Sequence, residues 1–251
     1  MDEKNKEVQQ PTGGKESVCE NLSFAAKEAF KRLRTNVVMS FPEGDTSCHI
    51  IGVTSSQPHD GKSTIATNLA YSLAELGKKV LLIDADMRRP TVHEKLGVEK
   101  HPGLSDLTRD YNSINNALKP YMSAGGVSFD VLPGGDAIEN PSELLNSKRM
   151  STLLETLSTA YDYIVVDLPP IGAVIDAVSI SRSIDGMIVV VRENTCPRGL
   201  LNECMLQLKY VNVNILGFVI NGALEGSSKK YQYSAYGSYG SYGSYGYYGS
   251  Y

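Results

Sequence analysis

The run TSSQPHDGKSTIATNLA, residues 54–70, carries the residue types that grip a phosphate chain. Gly61 lets the backbone approach phosphate oxygens, Lys62 reaches the β and γ oxygens, and the Ser63 hydroxyl is a ligand for Mg²⁺. Thr64 caps or supports the loop, while Pro58, His59 and Asp60 complete the segment wrapped around the phosphates. A β-branched strand before it and a helix after it supply a helix N-terminus whose free N–H groups face the anion. Ser56 stands where such loops usually open with glycine, and His59 and Asp60 fill positions that are often small.

Two further apolar runs end in carboxylates. VLLIDADMRRP puts Asp84 and Asp86 two apart at the end of a buried strand, so side-chain alternation aims both the same way. YIVVDLPP ends another strand at Asp167, the position from which an acidic residue holds metal-bound water beside a phosphate loop. An Asp at a strand end is by itself as often a turn former. Three of them beside GKST make a set able to hold Mg²⁺, neutralise a polyphosphate and accept a proton.

The elements that must position this set alternate along the chain. From Phe24 to about Met39, Ala26, Phe30, Leu33 and Val37 recur at helical spacing, with Glu28, Lys31, Arg32 and Arg34 on the other side. Strands are predicted at HIIGVTS, KVLLIDAD, FDVLPGG, YDYIVVDLPP, GMIVVVREN and NILGFVIN. Helices are predicted from about Lys62 to Glu75, Pro141 to Ala160, Val174 to Ser183 and Gly199 to Tyr210. Strands apolar on both faces and separated by helices specify a mainly parallel α/β sheet covered on both sides, with ligands beyond the carboxyl ends of the strands.

Composition sets the limits around that core. A formal net charge of −4 and a pI near 5.6 provide no basic field for nucleic acid, so none is expected as a partner. The cysteines (Cys19, Cys48, Cys196, Cys204) form no CxxC pair and no metal-ligand spacing with the histidines, and read as reduced thiols. Apolar runs are strand-sized, so nothing is expected to cross a membrane unaided. Residues 1–20 read as a flexible arm, 21–225 as one P-loop domain, and 226–251 as a disordered tail. That tail holds Tyr231, Tyr233, Tyr236, Tyr239, Tyr242, Tyr245, Tyr247, Tyr248 and Tyr251 in an approximate S-Y-G repeat, with no Val, Leu or Ile to bury.

GKST, then the apolar run ending Ile-Asp-Ala-Asp-Met-Arg, then Ile-Val-Val-Asp-Leu-Pro, resemble the Walker A, A′ and B motifs of bacterial tyrosine kinases. These are the autokinases of capsule and exopolysaccharide synthesis. The likeness runs from about Phe24 to Asn221 and resumes at the tyrosine cluster. It implies a P-loop NTPase fold, ATP and Mg²⁺ as cofactors, and tyrosine as the acceptor. Lys62 and Ser63 would bind phosphate and metal, Asp86 and Asp167 would hold the metal through water, and Asp84 would accept the proton of the tyrosine hydroxyl.

The resemblance also implies that the tail tyrosines are phosphorylated in trans within a homo-oligomeric ring. The family's E-x-x-R-x-x-R helix motif falls on Glu28, Lys31 and Arg34, with Lys in place of the first Arg; a plain exposed salt bridge is the competing reading. Arg192 and Asn221, at strand ends near the sheet edge, are the expected adenine contacts, although nothing in the residues separates ATP from GTP. A membrane adaptor with a cytosolic activating tail and a cognate tyrosine phosphatase are the expected partners, which would hold the chain in the cytoplasm at the inner membrane face. The rival reading is a positioning ATPase of the MinD/ParA kind, whose extra phosphate-loop lysine would sit at Gln57. A tail that self-associates without being a substrate is a further alternative.

Overall fold

The computed structural model describes residues 18–108, 114–172 and 179–223. Most of the expected arm, the whole tyrosine-rich tail and residues 174–178 of the helix expected at 174–183 lie outside them.

Seven strands form one sheet: β1 (His49–Ser55), β2 (Val80–Asp84), β3 (Lys119–Met122), β4 (Ser128–Leu132), β5 (Tyr163–Asp167), β6 (Gly186–Arg192) and β7 (Ile215–Asn221). Their order is β3-β4-β2-β5-β1-β6-β7, and all neighbours are parallel except the β3–β4 hairpin. Side-chain alternation divides the core in two. Leu81 and Ile83 of β2 join one apolar cluster, while Val80 and Leu82 of the same strand join the other. β3 escaped the sequence pattern because KPYM is four residues long, half exposed and contains a proline, which only an edge strand tolerates.

Helices α1 (Phe24–Met39), α2 (Lys62–Ala74) and α3 (Val92–Leu96) supply side chains to one cluster. The other cluster takes side chains from α4 (Ile114–Ala117), α5 (Pro141–Leu145), α6 (Lys148–Ser158) and α7 (Arg198–Tyr210). α2 is buried nearly all round, which fixes the phosphate loop against the middle of the sheet. The single helix expected from Pro141 to Ala160 is two helices. Ser147 interrupts it, its Oγ accepting from Met150 N–H at 3.2 Å and capping α6. The fold also starts earlier than composition suggested, for Val18 is buried and the Glu20 carboxylate accepts from the Gly125 and Ala124 amides at 2.6 and 3.3 Å.

Glu28, Lys31 and Arg34 do not share one environment. Lys31 pairs with Glu28 at 2.8 Å on the exposed surface of α1. Arg34 turns inward instead, donating to the Ser72 carbonyl at 2.8 Å and reaching Glu75 at 3.3 Å, both at the C-terminal end of α2. Arg34→Ala should therefore lower the unfolding free energy by about 1–2 kcal/mol through the lost tie to α2. Glu28→Ala and Lys31→Ala should each change it by less than ~0.5 kcal/mol. Urea denaturation of the three variants distinguishes them, and equal small effects would mean that Arg34 does not hold α1 in place.

Candidate nucleotide and phosphoryl-transfer site

The phosphate loop joins β1 to α2, and two residues in it adopt left-handed backbone, His59 at φ 68° and Gly61 at φ 95°. Inside the loop the Asp60 carboxylate accepts from Ser56 Oγ, Gln57 N–H and Gln57 Nε2 at 3.1, 3.3 and 3.2 Å. Asp60 is buried, so its side chain is a brace within the loop. Ser56 thereby has a reason to replace glycine. Its hydroxyl bonds Asp60 and lies 2.9 Å from Cys196 Sγ.

Two strand ends hold the loop from the far side of β1. Asn221 Nδ2 donates to the Asp60 carbonyl at 2.8 Å, and Arg192 Nη1 donates to the His59 carbonyl at 3.2 Å. These residues, expected to meet adenine, spend those donors on the loop's backbone. A Cβ at position 61 would collide with the Asn221 side chain, so close approach as well as positive φ requires Gly61.

The charges converge through strand parity. Asp84 follows Val80 and Leu82 on one face of β2, Asp167 follows Tyr163 and Val165 on the same face of β5, and the two aspartates are register partners. Lys62, opening α2 over that face, puts Nζ 2.7 Å from Asp86 Oδ2, 3.5 Å from Asp167 Oδ1 and 3.2 Å from Ser63 Oγ. Asp84 Oδ2 accepts the Thr91 and Val92 amides at 3.0 Å each, anchoring the start of α3. Asp84 Oδ1 and Asp167 Oδ2 are buried without a hydrogen-bond partner.

Burial and the neighbouring Asp167 charge push the Asp84 carboxyl up to about 8. Burial also raises Asp167, against the pull of Lys62 and Ser63. For Lys62 burial works against the ammonium, but Asp167 and Asp86 outweigh it and hold its pKa above the ordinary lysine value. Three carboxylates and one lysine leave a surplus of negative charge, which a proton relieves at neutral pH.

A cavity of about 580 Å³ opens over this cluster. Pro58, His59, Gly61, Lys62, Ser63 and Thr64 line it, together with Asp86, Arg192 and Asn221. Asp60, Asp84 and Asp167 lie behind the wall. The sequence reading missed Arg88, Arg89, Thr91, Lys95, Pro169 and Pro170, which complete the lining. A basic pair directly after Asp-Ala-Asp was the available signal for the first two. A larger cavity, about 700 Å³, lies at the opposite, amino ends of β2 and β4, remote from GKST, so its size does not make it the reactive site.

The residues present fit a nucleotide with Mg²⁺. Among the described residues no three His, Cys, Asp or Glu side chains form a closed metal cage. Mg²⁺ does not need one, because it keeps several waters and takes few protein ligands beside substrate phosphates. Ser63 and Asp86 at the cavity wall, with the unpartnered Asp167 oxygen behind them, suit such a cation.

Known proteins resemble this chain in sequence and fold. The AAA domain family matches residues 48–214. Tyrosine-protein kinase YwqD of Bacillus subtilis is 35% identical over 206 residues, covering 82% of this chain and 85% of YwqD. The chain belongs to the bacterial tyrosine kinase family. Tyrosine-protein kinase etk of Escherichia coli K12 is 34% identical over 85% of this chain, which spans only 29% of that longer relative. The solved kinase domain of Escherichia coli ETK superposes with a TM-score of 0.73 at 32% identity, covering 88% of this chain and 80% of that domain. The Mg-ADP complex of MinD from Pyrococcus horikoshii is more distant, with a TM-score of 0.57 at 25% identity over 71% of this chain and 72% of that one.

The raised Asp84 pKa has a definite sign in this kinase-family fold. An unfolded aspartate titrates near ~3.9, so the folded state holds the proton more tightly. The stability linked to it is complete below that value, declines as pH rises and is lost above about 8. Without nucleotide or metal, Tm should fall between about pH 5 and about pH 9, and Asp84→Asn should flatten that decline. A variant whose Tm falls as steeply as the wild type would put the proton elsewhere.

Proposed function

We propose that the chain is an ATP-dependent protein tyrosine kinase that phosphorylates its own C-terminal tyrosines in trans and regulates capsular or extracellular polysaccharide synthesis and export. The observation that carries the reading is the Lys62 ammonium, buried between Asp86 and Asp167 at the floor of an open cavity behind a phosphate loop. ATP phosphates would rest on the loop amides, on the N-terminus of α2 and on Lys62, which balances charge developing on the transferred phosphoryl oxygens. Ser63, with Asp86 and Asp167 acting through water, would hold Mg²⁺, which would supply further charge neutralisation. Asp84 holds a proton when the site is empty; a bound cation would displace that proton, and the unpartnered Oδ1 would then be the atom suited to take the tyrosine proton.

The acceptors are Tyr231, Tyr233, Tyr236, Tyr239, Tyr242, Tyr245, Tyr247, Tyr248 and Tyr251 of a neighbouring copy in a ring assembled through the exposed face of α1 that carries Glu28 and Lys31. A membrane adaptor would bring the chain to the inner face of the membrane, and a tyrosine phosphatase would reverse the modification. Among the described residues no helix is long and apolar enough to cross a membrane. The positioning-ATPase reading is weaker. Gln57 occupies the site of the extra lysine, and it is turned to Asp60 within the loop.

A mixing experiment tests the proposal. A full-length Lys62→Met chain is incubated with Mg-ATP and an active chain truncated after Ser228, and phosphate is mapped by mass spectrometry. Label should appear on the inactive chain's tail and be absent when both chains carry Lys62→Met. Tail label in that second mixture would remove Lys62 from the mechanism, and none on the inactive tail in the first would exclude transfer in trans. Asp84→Asn should slow transfer at least about 100-fold while leaving Mg-ATP affinity within about threefold. Equal losses of both would move Asp84 into the metal shell.

A further inference from the structure

The wall of the cavity facing away from Arg192 and Asn221 is basic, although the chain as a whole is acidic with a formal net charge of −4. Arg88, Arg89 and Lys95 all line it, and all come from the short segment between β2 and the end of α3. That segment is pinned at several points. Asp86 Oδ1 accepts the Arg89 amide at 3.3 Å, Asp84 Oδ2 accepts the Thr91 and Val92 amides, and Pro90 packs so closely on Gly134 that a Cβ there would come within 2.9 Å. Lys95 Nζ donates to Thr64 Oγ1 at 3.3 Å, tying the same segment to the phosphate loop. Among the described residues no carboxylate ion pair is recorded for Arg89 or Lys95, and Arg89 is exposed. Cationic side chains on a rigid wall beside a phosphoryl-transfer site are suited to a second phosphate group.

The acceptor sequence supplies one at a fixed interval. Tyr233, Tyr236, Tyr239, Tyr242, Tyr245, Tyr248 and Tyr251 follow one another at a strict spacing of three, and residues 231–251 contain no charged side chain. An unmodified tail therefore offers a basic wall no charged side chain to pair with. Once one tyrosine is phosphorylated it carries about −1.5 to −2 charge and three acceptor oxygens. In extended chain the next tyrosine of the series is only about 10 Å away.

We propose that Arg89 and Lys95, supported by Arg88, form a phosphotyrosine subsite that holds an already modified tyrosine one repeat from the acceptor, so that each phosphorylation favours the next. The inference rests on the kinase reading above. It makes the tail a primed substrate, labelled in clusters along one chain, and it gives the strict three-residue spacing a physical purpose: the spacing sets the distance from acceptor to subsite.

Two synthetic peptides of residues 231–251 test it, one unmodified and one carrying phosphotyrosine at position 242. With the full-length wild-type chain, kcat/KM should be about tenfold higher for the primed peptide, and the ratio should shrink as salt is raised. Arg89→Gln should bring the ratio close to one, and Arg89→Lys should restore part of it. Equal use of the two peptides by the wild type, or an unchanged ratio in Arg89→Gln, would overturn the proposal. So would an Arg89→Gln chain in which only the KM for ATP rises, because that assigns the side chain to the nucleotide. Fluorescence anisotropy of both labelled peptides with the Lys62→Met chain reads the subsite without catalysis. Absence of transfer to either peptide, with the primed one still bound about tenfold more tightly, would defeat the kinase reading alone, whereas equal binding would defeat the subsite.

Discussion

A lysine ammonium buried among three carboxylates governs this structure. Lys62 contacts Asp86 at 2.7 Å and Asp167 at 3.5 Å, while Asp84 stands beside Asp167 in the sheet register with one oxygen unpartnered. Charges cost several kcal/mol each to remove from water, and one cation does not compensate three anions. The site lowers that cost by protonation, by amide donors at Thr91 and Val92, and by offering the surplus negative charge to a metal ion. The same imbalance that disfavours the empty site favours Mg²⁺ with a nucleotide.

The fold serves to keep that cluster together. Parallel strands with matched parity bring Asp84 and Asp167 to one face and one level, and α2, buried nearly all round, cannot tilt Lys62 away from them. The phosphate loop is held as firmly. Asp60 closes it from within, and β6 and β7 send Arg192 and Asn221 to the carbonyls of His59 and Asp60. Side chains that would otherwise be assigned to ligand thus act on the loop backbone, which keeps the loop amides preorganised for phosphate.

Similarity to YwqD over most of both chains, and to the ETK kinase domain in three dimensions, joins this chain to tyrosine kinase relatives. The likeness to MinD shows how far the underlying nucleotide-binding frame extends beyond them. Here Gln57 is folded into the loop, and Arg88, Arg89 and Lys95 line the cavity from the segment between β2 and α3.

The chemistry-bearing motifs and most of the sheet were legible in the sequence because local rules write them. Short β-branched apolar runs mark β1, β2, β4, β5, β6 and β7, helical spacing marks α1, and GKST after a strand marks the start of α2. β3 was hidden because its stability comes from pairing with β4 and not from its own residues. The break at Ser147 had only a capping serine as its sign. Long-range packing decided the rest. Arg34 and Asp60 were read as partners of other molecules, yet each serves this chain, because a strongly polar side chain seeks the nearest buried backbone group and sequence does not show which group that is. Arg192 and Asn221 reached the loop across 133 and 161 residues of chain, and only the order of the strands in the sheet fixes such a meeting.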